Sequence, residues 1–96
     1  MNNIDEILKD GISAHYIGRD SLEDISKIRE YSKFPDKLWK IGDYKKRLVS
    51  YWKGLQDLAK KYPDSEVIKE QTEIILNSAK EYLPENIYKE IYESEK

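Results

Sequence analysis

Residues 43–62 read DYKKRLVSYWKGLQDLAKKY, and this stretch decides the fold. Tyr44, Leu48, Trp52, Leu55, Ala59 and Tyr62 follow one another at steps of four and three. That spacing lays one apolar stripe along an α-helix, which Val49, Tyr51 and Leu58 widen. Asp43 is the expected N-cap. Gly54 sits inside the helix, where glycine costs up to about 1 kcal/mol against alanine but lets another helix come close.

On the C-terminal side, Pro63-Asp64-Ser65 reads as a break followed by a cap. A helix is expected over 65–82, carrying Val67, Ile68, Ile74, Ile75, Leu76, Ala79 and Tyr82. Apolar residues at 74, 75 and 76 span a wide arc, so this helix is expected to be contacted from two sides. Pro84 opens a last helix with Ile87, Tyr88, Ile91 and Tyr92 on one face, before a fraying tail.

On the N-terminal side, Pro35 starts a short helix bearing Leu38, Trp39 and Ile41, stopped by Gly42. Phe34 precedes a proline and is pushed to extended angles. The helix before it is therefore expected to end near Lys33. That helix is capped at Asp20 or Ser21 and carries Leu22, Ile25 and Ile28. Asn3 is expected to cap a first short helix bearing Ile4, Ile7 and Leu8, with Gly11 as its stop. Residues 11–19 lie between glycines and fit a helical turn, a loop or an extended piece equally well.

The expected fold is all-α: a compact bundle of four to five short helices forming one helical domain over residues 1–96. Short connections favour antiparallel neighbours around the 43–62/65–82 hairpin. Sustained heptads are absent, so no long coiled coil is expected. The 96 residues contain no cysteine, which excludes disulfides and thiolate metal sites. No apolar stretch approaches the roughly 20 residues of a membrane span, and the start of the chain has no signal-peptide character. A cytoplasmic protein without membrane contact is the expectation.

Net charge is −2, but the charges are segregated. Residues 1–32 hold 4 basic and 7 acidic side chains, residues 33–53 hold 7 and 2, and residues 54–96 hold 6 and 10. Such blocks steer association with a charged partner, or pair with each other across the bundle.

Chemistry is sparse. His15 is the single histidine. A phosphate-handling site would need it together with Arg19 and a helix N-terminus near Ser21, and an ordinary loop histidine is the simpler reading. No nucleophile elbow, phosphate-cradling glycine loop or metal-ligand spacing occurs. Glu66, Glu70 and Glu73 share one helix face and read as a solvated surface. The expectation is a non-enzymatic protein with no catalytic residue, no metal and no cofactor.

Binding is the remaining class. Lys33, Lys37, Lys40, Lys45, Lys46, Arg47 and Lys53 are interleaved with Phe34, Trp39, Tyr44, Tyr51 and Trp52, a composition found on nucleic-acid surfaces. Against this, the whole chain is acidic, six of the seven cations are lysines, and Tyr44 and Trp52 fall on the core stripe. Eight tyrosines in 96 residues supply the kind of side chain that anchors protein interfaces. In size, acidity and aromatic content the chain loosely resembles the small inhibitors and immunity proteins of bacteria and their phages, with no motif to tie it to a family.

The resemblance implies a protein that binds and modulates or inhibits a protein partner, in the manner of immunity, antitoxin-like or phage anti-defence proteins. Acidic flanks suit a basic target such as a toxin or nuclease. A nucleic-acid-binding regulator using segment 33–53 is the alternative. The candidate partner-binding residues are Tyr16, Arg19, Tyr31, Lys45, Lys46, Arg47, Tyr51, Tyr88 and Tyr92. The expected state is a monomer, or a homodimer formed through the last helix.

Overall fold

The computed structural model describes the backbone of residues 4–93 and the side chains of residues 12–93. Four α-helices and one 3-10 helix make up these residues: α1 (Ile4–Tyr31), a 3-10 turn (Pro35–Lys40), α2 (Ile41–Lys61), α3 (Glu66–Tyr82) and α4 (Glu85–Tyr92). The all-α bundle is as expected, but its first third is not. The short helix, the ambiguous 11–19 segment and the helix from 20 onward are one continuous rod of 28 residues. Neither Gly11 nor Gly18 stops it, and Asp20 and Ser21 cap nothing. The Asn3 cap lies outside the described residues.

The reason is visible on the buried face of α1. Ala14, Gly18, Ser21, Ile25 and Ile28 alternate steps of four and three and are all buried. Two of these five core positions carry glycine and serine, so the stripe is continuous in space while its hydrophobicity is not. Gly18 permits close approach of α3. A Cβ at Gly18 would run into the side-chain amide of Gln71, which is buried against the α1 backbone.

α1 ends in a tightening coil. The Ser32 amide and hydroxyl both donate to the Ile28 carbonyl, and the Phe34 amide donates to Tyr31 at 3.1 Å. Phe34 then adopts φ −122 and ψ 108, the extended angles expected before Pro35. The 3-10 turn runs into α2 without a break. Gly42 and Asp43, expected as stop and cap, lie inside α2. Beyond Pro63, Ser65 does cap α3, accepting from the Ile68 amide at 3.3 Å. α4 begins at Glu85, with Pro84 as the residue before it.

α1 packs along both α2 and α3, and α4 packs on α2 and α3. α1 and α3 run in the same direction. His15 meets Gln71 near one end of the pair, and Arg29 stacks over Tyr82 near the other. One hydrophobic core joins all four helices, with Ile25, Ile28, Leu48, Leu55, Ile75 and Ala79 almost wholly enclosed. Burying each Leu or Ile side chain contributes roughly 1.5–3 kcal/mol. The molecule measures 54 × 21 × 20 Å, so its two ends are well separated. No helix among the described residues is long and apolar enough to cross a membrane.

Candidate partner interface

Tyr16, Arg19 and Tyr31 lie on α1, Lys45, Lys46, Arg47 and Tyr51 on α2, and Tyr88 and Tyr92 on α4. Tyr16 is half-exposed on α1, and the Arg19 guanidinium lies 4.7 Å from its ring centroid while contacting Asp20 at 3.3 Å. A phosphate site built on His15, Arg19 and a helix start near Ser21 has no basis here, because Ser21 is buried in mid-helix. His15, expected in a loop, lies on α1, where its Nδ1 accepts from the Gln71 amide at 3.2 Å.

Lys45 and Arg47 are already engaged. Lys45 Nζ binds a Glu90 carboxylate oxygen at 3.0 Å, tying α2 to α4. Arg47 forms two hydrogen bonds to Asp24, at 2.8 and 3.1 Å, tying α2 to α1. The Asp24 side chain is 1% exposed, whereas that of Arg47 is 55% exposed. Burial pushes the Asp24 carboxyl above the ordinary carboxylate range, and the bonds from Arg47 offset this only in part. Lys46 is exposed on α2.

The tyrosines of the last helix turn inward. Tyr88, a candidate partner-binding residue, is buried, and Tyr92 packs edge-on against Trp52 with centroids 5.0 Å apart. Its hydroxyl is buried without a hydrogen-bond partner among the described residues, and burial pushes that phenol well above its usual range. With Ile87 and Ile91 also facing the core, α4 presents Glu85, Asn86, Lys89, Glu90 and Glu93 to solvent. The apolar face expected to mediate a homodimer is thus spent inside the chain. Tyr51 and Tyr31 are half-buried, Tyr31 against Tyr44 at 5.9 Å.

None of the candidate partner-binding residues belongs to the most exposed apolar group among the described residues. Phe34, Leu38 and Trp39 are 45%, 49% and 77% exposed, and the 3-10 turn buries no residue at all. At three residues per turn, side chains at i and i+3 eclipse. Leu38 therefore shares a side with Ile41, Trp39 with Asp36, and Lys37 with Lys40. Only Ile41, at the start of α2, reaches the core. A 3-10 run of six residues rises about 12 Å, so the three apolar side chains lie within one small knuckle at the α1–α2 connection.

The knuckle is rimmed with ammonium groups. Lys37 Nζ lies 5.4 Å from the Phe34 ring centroid. Lys40 Nζ lies between two rings, 5.2 Å from Tyr31 and 5.6 Å from Trp39. Lys33, Lys37 and Lys40 form no ion pair among the described residues, unlike Lys45 and Arg47. The basic block of the sequence is therefore split. Its first part, 33–40, faces solvent with exposed aromatics, while its second part is partly consumed in holding helices together.

Other exposed apolar residues are dispersed or covered. Ile12 lies on α1, and Val49 borders the Lys45–Glu90 pair in an open hollow. Val49, expected to widen the core stripe of α2, is 48% exposed. Glu66, Glu70 and Glu73 line the solvated outer face of α3, diluted by Lys69, which approaches Glu66 at 4.0 Å. Among the described residues no group of three or more His, Asp or Glu side chains is placed to hold a metal. No protein-family model, curated protein or solved structure matches the chain.

Proposed function

We propose that the protein acts without catalysis, by binding a protein partner and modulating or inhibiting it, and that the knuckle at residues 34–40 is the contact surface. One observation carries the reading: Trp39 is 77% exposed on a turn that also exposes Leu38 and Phe34. Large apolar side chains held outward on a well-anchored turn stabilise neither the core nor the turn. Tryptophan is the residue most enriched at interface hot spots. Enclosing an indole that is mostly bare removes on the order of 150 Å² from water, a gross gain of about 3–4 kcal/mol. The loose likeness to small bacterial and phage inhibitors supports the same class.

The test is quantitative affinity capture from the native cell with the wild-type chain and Trp39→Ala. A stoichiometric partner is expected with the wild type, its retention falling about thirty-fold in the variant, the effect of a hot-spot loss of ~2 kcal/mol. The substitution is expected to change folding stability by less than about 0.5 kcal/mol, since the side chain packs against little. Equal capture by both proteins would refute the proposed surface.

A further inference from the structure

We infer that the knuckle accepts an acidic, apolar-anchored segment of a protein partner, with Trp39 and Leu38 entering a recess and Lys33, Lys37 and Lys40 meeting the carboxylates around it. The inference rests on the protein-binding reading and adds the chemistry of the partner.

The charge arrangement points this way. Within residues 33–40 there are three lysines and one carboxylate, Asp36. All three lysines lie outside the ion pairs of the described residues, while two cations further along, Lys45 and Arg47 on α2, are matched to Glu90 and Asp24. The ammonium groups of Lys37 and Lys40 instead rest near aromatic rings, at 5.2 to 5.6 Å from the centroids. Such cation–π contacts are weak at exposed sites. An incoming carboxylate draws an ammonium away at little cost and forms a charge-assisted hydrogen bond with it. The ring faces are thereby uncovered for apolar contact. Lysines on long flexible stems thus serve as covers in the free protein and as carboxylate ligands in the complex.

A nucleic-acid strand fits less well. A base stacking on the Trp39 face beside Lys40 must displace that ammonium, and its phosphates find only three nearby lysines. Beyond α2, where Lys45 and Arg47 are already paired, a longer polyanion meets the net acidic helices α1, α3 and α4. An acidic peptide needs only the knuckle. Screening within about 10 Å confines the attraction to that end.

The test uses the full chain and three fluorescein-labelled probes: a short peptide alternating Glu with Leu and Phe, its counterpart with Lys for every Glu, and an oligothymidylate of similar length. Anisotropy titrations are expected to show the acidic peptide binding about ten-fold or more tightly than the basic one, with salt weakening it. The triple variant Lys33→Glu/Lys37→Glu/Lys40→Glu is expected to abolish that preference, and Trp39→Ala to weaken both peptides. The variant Lys53→Glu/Lys60→Glu, placed on the distal half of α2, is expected to change nothing. Circular dichroism confirms that each variant is folded.

No binding of the acidic peptide up to about 1 mM, equal affinity for both peptides, or indifference to the lysine reversals each overturns the inference. Tighter, Trp39-dependent binding of the oligothymidylate overturns it in favour of single-stranded nucleic acid. If capture of the native partner depends on Trp39 but not on the three lysines, the protein-binding reading stands and this inference falls.

Discussion

Two residues of unlike kind set the α1 interfaces. Gly18 lets the Gln71 amide lie on the helix backbone, so Gly18→Ala forces two groups into one space. Overpacking of this kind costs typically 1–3 kcal/mol, against a helix-propensity gain of about 1 kcal/mol. The expected net result in urea unfolding is a loss of up to about 2 kcal/mol. In a Gln71→Ala background the clash is gone, and the same substitution is expected to stabilise. A sign that does not reverse would place the origin of the strain elsewhere. Asp24 is the second case. A carboxyl whose pKa rises on folding holds its proton more tightly in the folded state. Its contribution to stability is therefore greatest below the ordinary pKa of about 3.9 and is lost as pH rises through the raised folded value. Arg47→Met leaves that carboxylate buried without its cation. The variant is expected to be destabilised, more at about pH 7 than at about pH 4, whereas Asp24→Asn leaves stability at neutral pH unchanged or higher. A pH-independent deficit in Arg47→Met would show that packing of the arginine stem, and not the ion pair, is what was lost.

At the level of elements, legibility followed the chemistry of the stripe. The helices α2 and α3 were readable because Leu48, Trp52 and Leu55 are strongly apolar and Pro63 and Ser65 punctuate the join, but the bundle is built around α1, on which both pack, and not around the α2–α3 hairpin as expected. α1 was not readable, because hydrophobicity vanishes at Gly18 and Ser21 although both are core positions. A glycine ends a helix when the chain needs left-handed angles there. Gly18 has ordinary helical surroundings and is small for packing reasons. The knuckle escaped for the opposite reason. Leu38, Trp39 and Ile41 read as the apolar residues of one short helix, but only Ile41, at the start of α2, turns inward, and the 3-10 turn before it leaves Leu38 and Trp39 in solvent. Tyr88 is buried on the same face as Ile87 and Ile91, and its selection as a partner-binding residue rested on tyrosine content, which says nothing about which side of a short helix faces the core. α4 is only eight residues long, yet it closes one side of the core through Ile87, Tyr88 and Ile91. An isolated helix of that length is marginal in water, so it is held by those contacts. Ile91→Ala is expected to cost 2–4 kcal/mol in urea unfolding. A loss below about 1 kcal/mol would show α4 to be a dispensable appendage.

Across the whole molecule, the proposed binding surface and the core lie in different places. The core is centred on α1, α2 and α3, while the exposed apolar group sits at one end of an elongated body. The two tryptophans follow the same division. Trp39 stands in solvent on the knuckle, and Trp52 is wedged edge-on against Tyr92 between α2 and α4. The chain thus carries two intrinsic optical probes with separate duties. Emission from the solvent-facing indole is open to iodide quenching and shifts when a ligand covers it. Emission from the half-buried indole responds when α4 lifts away. Occupancy of the surface and integrity of the fold are therefore separable by light, in one unlabelled sample, without altering a single residue.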